Sequence, residues 1–117
     1  MRELNINWFE VPALDVQRAA AFYAKVLGVA VIDMQGPEGS MKAFANGDVP
    51  VGAISPGAPR ADGGVVVYFG TDDVDGALGR VRASGGKVVM EKTSIGPFGY
   101  IAQFLDTEGN RAALHCG

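Results

Sequence analysis

Apolar positions recur along this chain with two periods, and each switch between them marks an element. From Asn5 to Val11 they alternate, with Phe9 and Val11 on one side and Ile6, Trp8 and Glu10 on the other, before Pro12 removes a ladder donor. This predicts a first strand. Asp15 then precedes Val16, Ala19, Ala20, Tyr23 and Val26 or Leu27 at helical spacing, and Gly28 follows. A helix with Asp15 as N-cap and Gly28 as left-handed stop is predicted. Val29 to Met34, Ser40 to Ala45 and Pro50 to Ser55 read as three more strands, separated by Gly36-Pro37-Glu38-Gly39 and Asn46-Gly47-Asp48.

The same order returns after a connector. Residues 56–64 hold two prolines and three glycines, a turn-rich composition that divides the chain into module one (1–57), a linker (58–63) and module two (64–117). Val65 to Gly70 opens a strand, Asp72 or Asp73 caps a helix from Val74 to Ser84, Gly85-Gly86 ends it, and Lys87 to Glu91 is the next strand. Asp15-Val16-x-x-Ala19 matches Asp73-Val74-x-x-Ala77, and Gly28 matches Gly86, at the offset that separates Asp15 from Asp73. A repeat of about half the chain points to duplication of one structural unit.

The last two strands can be registered from their turn. Asp106-Thr107-Glu108-Gly109-Asn110 lies between apolar runs; with Gly109 in the left-handed position, Asp106 pairs with Asn110. Counting outward sets Phe104 opposite Ala112 and Ala102 opposite Leu114 on an apolar face. Leu105 with Arg111, Gln103 with Ala113 and Ile101 with His115 line the other. That second face is either a half-solvated sheet or the wall of a cleft.

Composition narrows the function classes. A net charge of -3, from 10 basic and 13 acidic residues, leaves no basic footprint for nucleic acid. No apolar run reaches the roughly 20 residues that span a bilayer, and Met1-Arg2-Glu3-Leu4 is unlike a signal peptide, so a cytoplasmic protein without membrane contact is expected. Cys116 is the single cysteine and reads as a spare thiol beside the C-terminus.

Asp15 to Gly28 with its internal Phe22-Tyr23 and Leu27-Gly28, the segment 83–88, Ile95-Gly96-Pro97-Phe98-Gly99 and Asp106-Thr107-Glu108-Gly109-Asn110 together resemble the vicinal oxygen chelate superfamily of glyoxalase I, bleomycin-resistance proteins and extradiol dioxygenases. The resemblance covers nearly the whole chain. It implies an α+β fold of two tandem βαβββ modules, with strands around a shared cleft and helices outside. Enzymes of that group hold a divalent metal with residues of the first and last strand of each module. Seven residues before Asp15 stands Trp8, and the repeat offset carries that position to Val66. The carboxylate position of the last strand is Ala113, with its counterpart somewhere in Gly52 to Ser55. None of these is a metal ligand, so no metal and no other cofactor is expected.

Strand parity then suggests what lines the cleft. Trp8, Val66, Tyr68, Gln103, Ile101 and Ala113 form an aromatic and polar lining for a small-molecule ligand, and Glu10 and His115 are the candidates for acid/base catalysis. The alternatives for these last two are a surface ion pair and a solvated strand end. A metal-independent binding protein for a small, partly apolar molecule is the first function expected. A glyoxalase-type lyase or isomerase using Glu10 or His115 is the alternative, and a regulatory module is a third. Small modules with open sheet edges also predict a homodimer, joined through those edges or through the helix face bearing Ala19, Ala20 and Ala24.

Overall fold

The computed structural model describes residues 3–36, 39–59 and 63–117. Parts of the predicted 36–39 turn and of the 56–64 connector lie outside the described residues. The elements follow one order twice: β1 (Ile6–Ala13), α1 (Val16–Leu27), β2 (Ala30–Gly36), β3 (Gly39–Asn46) and β4 (Val49–Pro56), then β5 (Val66–Gly70), α2 (Val74–Ala83), β6 (Lys87–Ser94), β7 (Tyr100–Leu105) and β8 (Arg111–Cys116). A short 3-10 turn, Gly96–Phe98, precedes β7. This is an α+β fold of two βαβββ runs. Its contacts gather into two compact units, residues 8–65 and residues 1–7 with 66–117.

In the first unit β2 and β3 pair antiparallel, β3 and β4 antiparallel, and β4 and β1 parallel. Asp15 caps α1 by accepting the Arg18 N–H at 3.0 Å. The helix lays Val16, Ala19, Ala20 and Tyr23 on the sheet face that carries Phe9, Val11, Phe44 and Ile54. Phe9, Phe44 and Tyr23 form a chain of ring contacts with centroids 5.3 Å apart, the offset and edge geometries aromatic quadrupoles favour. Val26 and Leu27, predicted to share the packed stripe, are exposed instead, because α1 meets the sheet through its first two turns. The helix stops at Gly28, whose φ of 66° is the predicted left-handed one.

β1 also runs past Pro12. Its parallel ladder with β4 carries on through Pro12↔Ser55 and Ala13↔Pro56, so the proline does not end the strand.

In the second unit β5 pairs parallel with β8, β8 antiparallel with β7, and β7 antiparallel with β6. Asp73 caps α2 through the Gly76 N–H at 2.9 Å, and Val74 and Leu78 pack on Ala102 and Leu114, with Phe69, Val88 and Phe104 around them. Burying side chains of this size contributes about 1.5–3 kcal/mol each. The hairpin has the register read from its turn in every pair, from Leu105↔Arg111 to Ile101↔His115. Gly109 sits at φ 85°, and the Asp106 N–H donates to the Asn110 carbonyl at 2.9 Å. The Asn110 backbone N–H, then its side-chain amide, hold the Asp106 carboxyl below its usual range.

Two expectations in this unit are corrected. The left-handed residue after α2 is Gly85, at φ 90°, and not the repeat-matched Gly86. With 10 residues against 12, α2 is shorter than α1 and the chain leaves it sooner. Gly86 is small for a different reason, since a Cβ there would stand 2.8 Å from Val81 Cγ1 and 2.9 Å from the Leu105 carbonyl oxygen. The second correction concerns β6, which was expected to end at Glu91 and extends to Ser94. Register shifts between Val88 and Thr93 bend it and blur its alternation.

Candidate functional site

Since the helix of each unit packs on one face of that unit's strands, the functional candidates lie on the other. In the first unit that face carries Trp8 and Glu10 from β1, Ser55 from β4 and Met41 from β3. The Trp8 indole N–H donates to Glu10 Oε2 at 3.2 Å, and the Ser55 hydroxyl donates to Glu10 Oε1 at 3.3 Å. Met41 Sδ lies 3.3 Å from the same hydroxyl. The carboxylate is therefore oriented through both oxygens, with an indole ring held beside it. Such charge-assisted bonds fix a side chain more firmly than neutral ones.

In the second unit the helix-free face is built in rows. Ala113 stands between Tyr68 and Gln103, and His115 between Gly70 and Ile101. Val66 precedes Tyr68 by two residues and shares its parity. Ala113 has no exposed surface, and Val66 and Tyr68 are also buried. Arg111, opposite Leu105, reaches across to Gln103 and donates from Nη1 to Oε1 at 3.3 Å. Its Nε–H is shielded from solvent and has no hydrogen-bond partner, a condition that costs about 1–3 kcal/mol for a buried donor.

His115 is held at both ring nitrogens. Nδ1 lies 2.9 Å from Asn7 Nδ2, and Nε2 lies 2.7 Å from the Phe98 carbonyl oxygen. A carbonyl only accepts, so Nε2 carries the proton and Nδ1 receives one from the Asn7 amide. Gly70 makes room for that amide, as a Cβ there would come within 2.6 Å of Asn7 Oδ1. The ring thus ties β8 to the 3-10 turn. An open polar groove of about 630 Å³ lies near the ends of β5 and β8, between Asn5, Asn7, Thr71 and Asp72, away from the Tyr68 row.

The family's metal positions can now be matched by pairing. Glu10 pairs with Ala53 as Tyr68 pairs with Ala113, and Tyr68 follows Glu10 at the repeat offset. Ala53 is therefore the module-one counterpart that the sequence left within Gly52 to Ser55. An indole, a valine and two alanines offer no ligand to a divalent ion, and among the described residues no three His, Cys, Asp or Glu side chains converge. The residues present do not fit the metal.

Ser55, Asn7 and Arg111 were not singled out as site residues from the sequence. Arg111 had a legible signal, being the one charged residue on the second face of the registered hairpin. The partners of Ser55 and Asn7 are 45 and 108 residues away in the chain, beyond any local pattern.

Comparison with known proteins agrees with the geometry. The family model described as Glyoxalase/Bleomycin resistance protein/Dioxygenase superfamily matches residues 5–114. A glyoxylase-like domain-containing protein of Didymella fabae is 34% identical, over 93% of this chain and 91% of its own length. The anthracycline biosynthesis protein DauV of Streptomyces sp. (strain C5) is 28% identical over 92% of this chain, which spans 45% of that relative. Among solved structures, a Streptomyces coelicolor methylmalonyl-CoA epimerase variant in complex with 2-nitronate-propionyl-CoA superposes with a TM-score of 0.66, covering 96% of each chain at 19% identity. With its paired βαβββ runs and a family match across both, the chain belongs to the Glyoxalase/Bleomycin resistance protein/Dioxygenase superfamily.

Proposed function

We propose that the protein binds a small, partly apolar molecule on the helix-free sheet faces, without the metal of its family's enzymes. The observation that carries this reading is the Trp8–Glu10 pair at a family ligand position. There an indole face is available for stacking, beside a carboxylate oriented by two donors. The second unit, taken by itself, offers Val66, Tyr68, Ile101, Gln103 and Ala113 on its own helix-free face. The methylmalonyl-CoA epimerase and DauV offer precedents for small-molecule work on this fold and in this family.

The second reading is a lyase or isomerase of the glyoxalase type. It is favoured by the orientation of Glu10, whose fixed carboxylate suits proton abstraction at a carbon next to a carbonyl. His115, with both nitrogens occupied, suits a positioning role better than proton transfer. Either reading is compatible with a homodimer. The Ala19–Ala20 face proposed from sequence is spent on the unit's own core, whereas Phe22 and Val26, one turn apart on α1, are exposed and available.

A thermal-shift screen of aromatic acids, aldehydes, thiols and antibiotics, run with and without added zinc, nickel and manganese, tests the proposal. Stabilisation by an organic compound with no metal requirement is expected. Stabilisation that appears only when a metal is added contradicts it.

A further inference from the structure

α1 carries an apolar stripe that its own unit leaves uncovered. Leu14, just before the cap, is followed by Arg18, Phe22 and Val26 at the four-residue spacing that keeps side chains on one side of a helix. The three apolar members are 77%, 59% and 61% exposed. The Phe22 ring meets the Tyr23 ring edge-on with centroids 5.3 Å apart, so this anchor is fixed before any partner arrives. α2, the counterpart of α1 in the other unit, exposes no large apolar residue. The fold therefore does not require the stripe. Charge is spread unequally along it. Asp15 at the start keeps 51% of its side-chain surface exposed even with the Arg18 guanidinium 4.0 Å away, and Lys25 in the last turn takes part in no ion pair of the described residues.

We infer that the occupant of this stripe is α1 of a second copy, packed antiparallel about a two-fold axis at the level of Ala20. In that register Leu14 faces the partner's Val26, Arg18 faces the partner's Phe22, and Asp15 faces the partner's Lys25. Two-fold symmetry makes each contact twice. An apolar pair, a guanidinium over an aromatic ring and a carboxylate beside an ammonium are thus matched from one surface. A parallel pair would instead set Arg18 against Arg18 and Lys25 against Lys25, and would align two helix dipoles. This inference goes beyond the small-molecule reading and uses neither Trp8 nor Glu10. One 12-residue helix from each copy makes a small interface, below roughly 1,200 Å² in total, and a dimer with a Kd of about 1–100 μM is expected.

Sedimentation velocity on the full chain, from about 1 to 500 μM, brackets that range. Phe22→Asp and Val26→Asp, at exposed positions, should each weaken the dimer at least tenfold, roughly, while the thermal midpoint and circular dichroism stay as in wild type. Lys25→Glu should weaken it by about tenfold, since the repulsion from Asp15 is felt twice. Cross-linking tests the register without relying on lost binding. In a Cys116→Ser background, which removes the only thiol, a mixture of Leu14→Cys and Val26→Cys proteins should be joined by a short bismaleimide. Neither protein should cross-link by itself, because the two copies of either residue then stand about 18 Å apart along the helices. Wild-type protein that stays monomeric over the whole range overturns the inference, as does a dimer that Phe22→Asp leaves intact or a cross-link within Leu14→Cys alone. Monomeric protein that pellets with phosphatidylserine vesicles, and fails to as Phe22→Asp, would assign the stripe to a lipid surface and overturn it too.

Discussion

Gly52 on β4 lies against the ring of Phe9, and one methyl group there tests the strand parity on which the candidate site depends. A Cβ at Gly52 would stand 2.4 Å, 2.5 Å and 2.7 Å from Phe9 Cε1, Cζ and Cδ1, where carbon pairs normally sit about 3.5–4.0 Å apart. The ring must move by about 1 Å, yet Phe44 packs against it with a centroid separation of 5.3 Å. Gly52→Ala should therefore cost about 1–3 kcal/mol as overpacking. Gly52 is absent from the residues with positive φ, so the backbone itself accepts alanine. In the Phe9→Leu background the clash disappears, and replacing glycine within a strand should help by about 0.5–1 kcal/mol. The resulting coupling is about 2 kcal/mol. Urea denaturation reads it directly: with a slope of about 1–3 kcal/mol per molar, Gly52→Ala alone should lower the midpoint by about 1 M. A Gly52→Ala cost that is the same in both backgrounds would refute the contact. It would also undo the parity that turns Phe9 toward α1 and Trp8 and Glu10 away from it.

The remaining predictions concern each unit's stability and chemistry. Leu78→Ala, at a side chain with 1% of its surface exposed, should cost about 2–5 kcal/mol in chemical denaturation. Because hydrogen bonds from Asn110 in the folded state lower the Asp106 pKa below the ordinary carboxyl value of 3.8, its stabilisation is complete above that value and is lost as pH falls through the lower folded one. Wild type should accordingly outlast Asp106→Asn in urea at pH 7 and lose that advantage on acidification. Nitrogen NMR should find His115 in the Nε2–H tautomer, and His115→Ala should speed amide exchange in residues 96–99; an Nδ1–H tautomer would break the proposed clamp. Elemental analysis should find less than a tenth of an equivalent, order of magnitude, of any first-row divalent metal after dialysis, since the family positions hold no ligands.

How legibly the chain announced these features depended on how local their causes are. Asp15, Asp73 and Gly28 act within one helical turn, so the caps could be read from spacing. The β7–β8 register followed from Gly109 and the alternation beside it, and it placed Arg111, Ala113 and His115 on one face without knowledge of any other strand. Gly85-Gly86 was read as the end of α2, but the repeat matched Gly28 to Gly86 and not to the left-handed Gly85, because an offset assumes equal helix lengths and α2 is the shorter. The end of β6 was set too early, at Glu91, because register shifts between Val88 and Thr93 erase its period of two. In the site, Trp8 and Glu10 could be paired by their spacing on one strand face. Ser55 and the orphaned Arg111 Nε could not, since each depends on which distant chain passes by and what it leaves unbonded.

The central claim, that a small molecule seats against the Trp8 indole, has a direct measurement. Trp8 is the only tryptophan, so ¹⁵N-labelled protein gives a single indole N–H resonance, that of the group bonded to Glu10. Titrating in the best-stabilising compound from the screen should shift this resonance progressively and saturate it with the same Kd that calorimetry reports. An indole resonance that stays fixed while the protein saturates would contradict the account, and would remove both Trp8 and Glu10 from the site.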